Sequence, residues 1–163
     1  NSMTAKEYNS AVDMYADNVF RFVMKHIKNE MSAQDIIQEA FMKVWIKREE
    51  IQAEKVKSYL FTTAYHCLID WKNKEKRSGD IEKVENNLAS ASSLEFDVSA
   101  VLDQALNRLP EIQKTVVLLR DYEGYNYAEI AEITQLNESQ VKVYIFRARQ
   151  ALKGYLKARE LVA

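Results

Sequence analysis

Three glycines and one proline in 163 residues leave this chain few means of reversing direction tightly. A β-sandwich or barrel needs turn residues roughly every 8–12 positions. Helices joined by few, short connections need far fewer, so the expected class is all-α. Apolar residues make up 47% and charged ones 29%, the balance of a chain that folds around a core. The length suits one ordinary domain or two small ones.

Composition also narrows the chemistry. One cysteine, Cys67, allows no intramolecular disulfide, and with only His26 and His66 beside it no metal site assembles. His66 and Cys67 are sequence neighbours, about 100° apart on a helix, so they do not face each other as base and nucleophile. Asp35, Gln38 and Glu39 have no histidine or carboxylate cluster at ligand spacing to complement them. The expectation is no catalytic, cofactor or metal site. No apolar run approaches the roughly 18–20 residues of a membrane span, and the amino end lacks a secretory pattern. A cytoplasmic protein without stable membrane insertion is expected.

Charge is uneven along the chain. Residues 79–100 hold one basic against five acidic residues, within the polar stretch "RSGDIEKVENNLASASSLEFD", which loses helical periodicity. Residues 101–138 hold three basic against seven acidic, while 139–159 hold six basic and no acid. Nucleic acid responds to such local potential within a Debye length of roughly 8–10 Å, whatever the net charge. The pattern predicts two small helical bundles, residues 4–78 and 101–160, joined by a flexible acidic linker over 79–100.

In the first bundle, Tyr8, Val12, Tyr15, Val19, Phe22 and Val23 form one stripe of an amphipathic helix. "SAQDIIQEAFMKVWIK" reads as a second helix, capped at Ser32 with Asp35 three residues on, stacking Ile36, Ile37, Ala40, Phe41, Val44 and Trp45 and ending near Arg48. A third runs from about Val56 to Lys76, with Leu60, Ala64, Cys67 and Trp71 inward and Thr62, His66, Ile69 and Asn73 outward. Its end, "WKNKEKR", carries Lys72, Lys74, Lys76 and Arg77, which complement a helix dipole or attract phosphate.

In the second bundle, Pro110 interrupts "AVLDQALNRL", "EIQKTVVLLRDY" is a helix stopped at Gly124, and "YAEIAEIT", "QLNE" and "SQVKVYIFRARQALKGYLK" form a helix-turn-helix. Asn137, with Gln140 three residues later, caps the last helix. Val141, Ile145, Ala148 and Leu152 fall on its inner side, against Ile130, Ala131 and Ile133. Gln140, Val143, Phe146, Arg147 and Gln150 fall on the outer side, flanked by Lys142, Arg149 and Lys153. Apolar groups amid bases suit a DNA groove, where they meet thymine methyls while polar side chains meet base edges. Burial of Val143 and Phe146 against another helix or a partner protein is the competing reading.

Taken in order, "SAQDIIQEAFMKVWIK", "VKSYLFTTAYHCLIDWKNKEKR" and "LPEIQKTVVLLRDYEGYNYAEIAEITQLNESQVKVYIFRARQALK" resemble an extracytoplasmic-function sigma factor of bacterial RNA polymerase, over about residues 8–157. The resemblance implies core RNA polymerase, through its clamp coiled coil and flap, promoter DNA and an anti-sigma factor as partners. It implies that Asp35, Gln38, Glu39 and Met42 dock on the clamp coiled coil. Thr62, His66, Ile69, Lys72, Asn73, Lys74, Lys76 and Arg77, with the loop "REEIQAEK", would melt and hold the minus 10 element. Gln140, Lys142, Val143, Tyr144, Phe146 and Arg147 would read the minus 35 element, with Arg149 and Lys153 near phosphates. The acidic linker would lie in a basic channel of the polymerase.

Two residues depart from the family's usual pattern: His66 stands in place of Asn, and Gln135 in place of the Gly often found in the helix-turn-helix. The second implies a turn of different backbone geometry. The rival function is a free-standing helix-turn-helix regulator whose first bundle senses or dimerises, and a third is a helical adaptor without a nucleic-acid role.

Overall fold

Thr4 opens the first helix. Its hydroxyl accepts the Glu7 amide at 3.1 Å while the Glu7 carboxylate accepts the Thr4 amide at 2.9 Å, so two otherwise unpaired amides are satisfied where α1 (Ala5–Met24) begins. The computed structural model describes residues 2–78 and 98–162, and among them there is no strand. The chain divides into two units, Asn1–Gly79 and Asp80–Ala163.

In the first unit α1 is followed by α2 (Glu30–Ile46), short 3-10 turns at Arg48–Glu50 and Ala53–Lys55, and α3 (Val56–Ser78). Helix α2 starts earlier than expected: the Asn29 side chain, not Ser32, is the cap, accepting the Ser32 amide at 3.0 Å. Asn and Ser cap about equally well, so the choice falls to packing. Ala33 is fully buried one turn before Ile36 and must be helical to sit there. The three helices pack pairwise around Val19, Phe22, Leu60, Phe61 and Leu68, and the Phe22 and Phe61 rings meet edge to face at 5.5 Å. Tyr8, Val12, Tyr15 and Trp71, expected inside, are only half-buried, and Ala11 takes a buried place on α1.

The second unit contains α4 (Val98–Asn107), α5 (Glu111–Val117), a π turn (Leu118–Tyr122), α6 (Tyr127–Thr134) and α7 (Glu138–Val162). Most of the expected linker, residues 79–97, lies outside the described residues. Its last three positions, 98–100, instead form the first turn of α4. A short helix gains from such an extension, because Ala105 and Leu106 are nearly buried and a nucleus of one turn is unfavourable. Pro110, extended at ψ 146°, ends α4 and opens α5. Buried Lys114 stitches the corner, donating to the Asn107 side chain at 3.2 Å and pairing with Glu111 at 3.7 Å.

Where a continuous helix is expected through Tyr122, the chain widens into the π turn, and the Glu123 amide reaches back five residues to the Leu118 carbonyl. Gly124, at φ 79°, closes that segment, as its freedom on the left-handed side permits. Arg120 then donates to the Tyr125 carbonyl at 2.9 Å and stacks over the Tyr127 ring, fixing the entry to α6. Asn126 and Glu129 form a second capping box there. Helix α7 packs on α4, α5 and α6 and buries Val141, Ile145 and Ala148.

Candidate nucleic-acid interfaces

Helices α6 and α7 form the helix-turn-helix. Gln135 occupies the left-handed conformation at φ 61°, and the Leu136 amide closes back on the Ala131 carbonyl at 3.1 Å. Gln135 thus holds a backbone that glycine takes freely, at a cost of about 1–2 kcal/mol for its Cβ. Asn137 then caps α7. Its side chain accepts the Gln140 amide at 2.8 Å, and Gln140 Oε1 accepts the Asn137 amide at 3.0 Å, which leaves the Gln140 amino group as a donor to a ligand.

Beyond the cap, α7 presents Gln140, Lys142, Val143, Phe146, Arg147, Gln150 and Lys153 outward. Phe146 is 64% exposed and Val143 44%, so burial within this unit does not account for them. Tyr144 is half-buried. Lys142 lies 5.6 Å from the centre of the Tyr127 ring. Arg149 is engaged by a carboxylate 28 residues away: Nε donates to Asp121 Oδ2 at 3.0 Å and a second nitrogen to Oδ1. That pairing holds its guanidinium pKa above the ordinary value. The π turn is what brings Asp121 into its place, and nothing in the local sequence of α7 announces the bond.

On α3, His66, Asn73, Lys74, Lys76 and Arg77 are exposed, and Thr62, Ile69 and Lys72 are half-buried. A cleft of about 440 Å³ opens between the end of α2, the loop after it and α3, lined among others by Lys43, Lys47, Ile51, Tyr59, Thr63 and His66. Of the residues expected on the outer side of α3, the cleft takes His66 but not Thr62, Ile69 or Asn73. Tyr59, Thr63, Lys43 and Lys47 escaped sequence reasoning, although the spacing 59, 63, 66 places three lining residues on one face of α3.

Asp35, Gln38, Glu39 and Met42 are all exposed on α2, and Met42 retains 63% of its surface. Met31, at 77%, and Ile46, at 69%, extend that stripe at both ends, two apolar residues that sequence reasoning missed. Glu39 pairs with Lys43 at 3.0 Å, which lowers its pKa. The buried Cys67 thiol lies 3.6 Å from the same carboxylate and is pushed up to about 11, first by burial and then by the Glu39 charge. A thiol so disfavoured as thiolate is a poor nucleophile. No group of three or more potential metal ligands gathers among the described residues.

Comparison with known proteins gives the family of both units. Residues 11–78 match the family model for sigma-70 region 2, and residues 99–152 that for sigma-70 region 4. The ECF RNA polymerase sigma factor SigM of Bacillus subtilis is 30% identical, over 86% of this chain and 90% of its own. RNA polymerase sigma factor SigV of the same organism is 28% identical, over 90% and 89%. The sigma factor RpoE, solved in complex with the anti-sigma factor NepR from Bartonella quintana, shares the fold with a TM-score of 0.76 at 21% identity, over 94% of this chain and 98% of that one.

Proposed function

Because the chain belongs to the extracytoplasmic-function sigma factors of RNA polymerase, we propose a division of promoter recognition between its two units. As a sigma factor it binds core polymerase and directs promoter recognition, melting and initiation. Its own work is binding rather than turnover, and its place is the bacterial cytoplasm, where polymerase meets DNA.

In this reading α7 enters the major groove of the minus 35 element. Gln140, Lys142 and Arg147 offer donors to base edges, Val143, Phe146 and the partly covered Tyr144 offer apolar or ring contact, and Lys153 sits near phosphates. Arg149 is engaged by Asp121 through two of its nitrogens and turns its remaining N–H donors toward phosphate. The first unit handles the minus 10 element. A base extruded from the non-template strand enters the cleft beside His66, whose ring stacks and hydrogen-bonds, with Tyr59 as a second ring. Thr62 and Ile69 flank it, while Lys72, Asn73, Lys74, Lys76 and Arg77 follow the displaced strand. The α2 stripe of Asp35, Gln38, Glu39 and Met42, lengthened by Met31 and Ile46, docks on the clamp coiled coil of the polymerase, and the second unit meets the flap. An anti-sigma factor, the kind of partner present with the fold relative RpoE, competes for these same faces.

The observation that carries the reading is the exposed Phe146 and Val143 among bases, on a segment, residues 139–159, that holds no acid. Transcription in vitro with core polymerase tests it. Specific transcripts from promoters are expected only when both proteins are present. Specific duplex binding by the chain alone, without affinity for core polymerase, is the result of a free-standing regulator and overturns the proposal.

A further inference from the structure

The residues ahead of α1 are fastened to the loop that walls the cleft. Met3 precedes the first helix yet is only 2% exposed, and its amide donates to two carbonyls of that loop, Arg48 at 3.2 Å and Ile51 at 3.0 Å. Terminal segments stay loose unless tied down, and here side chain and main chain are both engaged. The attachment is held on both sides. Thr4 begins the capped α1 one residue later, and Tyr8 meets the Trp45 ring edge-on at 5.0 Å while donating to the Phe41 carbonyl at 2.7 Å. Arg48 covers the same Trp45 ring at 3.7 Å and donates to the Trp45 carbonyl at 3.0 Å.

Ile51 joins this assembly to the cleft. It is 2% exposed, accepts from Met3 at its carbonyl, and lines the cleft together with Tyr59, Thr63 and His66. Between Lys47 and Val56 the loop is built from 3-10 turns of three residues each, whose internal hydrogen bonds are poor. Its position therefore depends on what holds it from behind.

We propose that Met3 is a positioning residue for the minus 10 site, a brace that sets the loop wall of the cleft where an extruded base must fit. The proposal rests on the reading of the cleft as the base-binding site. Constellations of this kind lose function when their supports shift by about half an ångström, so the brace acts on affinity for the base without touching DNA.

The test uses full-length variants assembled with core polymerase. Met3→Pro removes the amide donor, Met3→Ala removes the packed side chain, and Met3→Leu preserves both. Met3→Pro is expected to weaken holoenzyme binding to a single-stranded minus 10 oligonucleotide by about fivefold, the scale of one net hydrogen bond, and Met3→Ala, which keeps the amide, by a similar factor through lost packing. They are also expected to speed amide exchange at Ile51, whose amide bonds to Arg48 in the same turn. Affinity for core polymerase and for a duplex carrying only the minus 35 element should stay within about twofold, and Met3→Leu should match the parent.

Unchanged oligonucleotide affinity in both variants overturns the proposal, as does a parallel loss of core binding, which marks general destabilisation. His66→Ala is the control for the underlying reading. If it leaves oligonucleotide affinity intact, the cleft is not the base site and the positioning role falls with it, while faster exchange at Ile51 still identifies a structural tie.

Discussion

The two units present opposite shapes. The second offers a convex helix, α7, with Phe146 and Val143 standing out among bases, and the first offers a concave cleft bounded by α2, a loop and α3. A ridge suits an intact duplex, whose major groove admits a helix. A cleft suits a base that has already left the stack. The supports differ accordingly. The ridge takes its exposed side chains from one helix, seated on α4, α5 and α6, whereas the cleft gathers its lining from α2, the loop and α3.

The largest break in this comparison should come from the ridge. Replacing Lys142 and Arg147 together with alanine is expected to lower initiation at a promoter that depends on its minus 35 element by about 10- to 100-fold, since each specific base contact contributes roughly 1–3 kcal/mol. Runoff transcription measures it, and an unchanged yield would remove α7 from the groove. His66→Ala tests the cleft: permanganate footprinting should show about tenfold fewer open complexes, with binding to a minus 35 duplex unaffected. Equal losses on both templates would erase the distinction between the units.

Smaller effects sharpen the picture. Gln135→Gly relieves the left-handed strain and should raise the stability of the second unit by about 1 kcal/mol in urea unfolding, leaving the first unit as it was. Asp121→Asn releases Arg149. Loss of an exposed ion pair should cost under about 1 kcal/mol, while the salt slope of duplex binding steepens by about one if the freed guanidinium reaches a phosphate. An unchanged slope would assign Arg149 to the framework alone.

The sequence carried what is local. Helical class followed from the scarcity of turn residues, and the reciprocal Asn137–Gln140 cap from side chains three positions apart. The exposure of Val143 and Phe146 followed from their angle to Val141 and Ile145. What escaped depends on contacts across the chain. Asn29 prevailed over Ser32 because Ala33 had to reach the core, Asp121 pairs with a residue 28 positions away, and Met3 meets a loop some 45 positions on. The Gln135 turn escaped for another reason: glutamine does not announce the left-handed conformation that it holds here at the expense of strain. The cleft was half legible, because 59, 63 and 66 share a helical face whose opposite wall comes from α2 and the loop.

The π turn at Leu118–Tyr122 has one more consequence. Such a turn holds an extra residue relative to an α turn of the same rise, so it is a place where the chain has slack. Losing a residue there would tighten the segment toward an ordinary helix and turn Asp121 away from Arg149. Among the described elements that support α7, this segment is the one with length to give up.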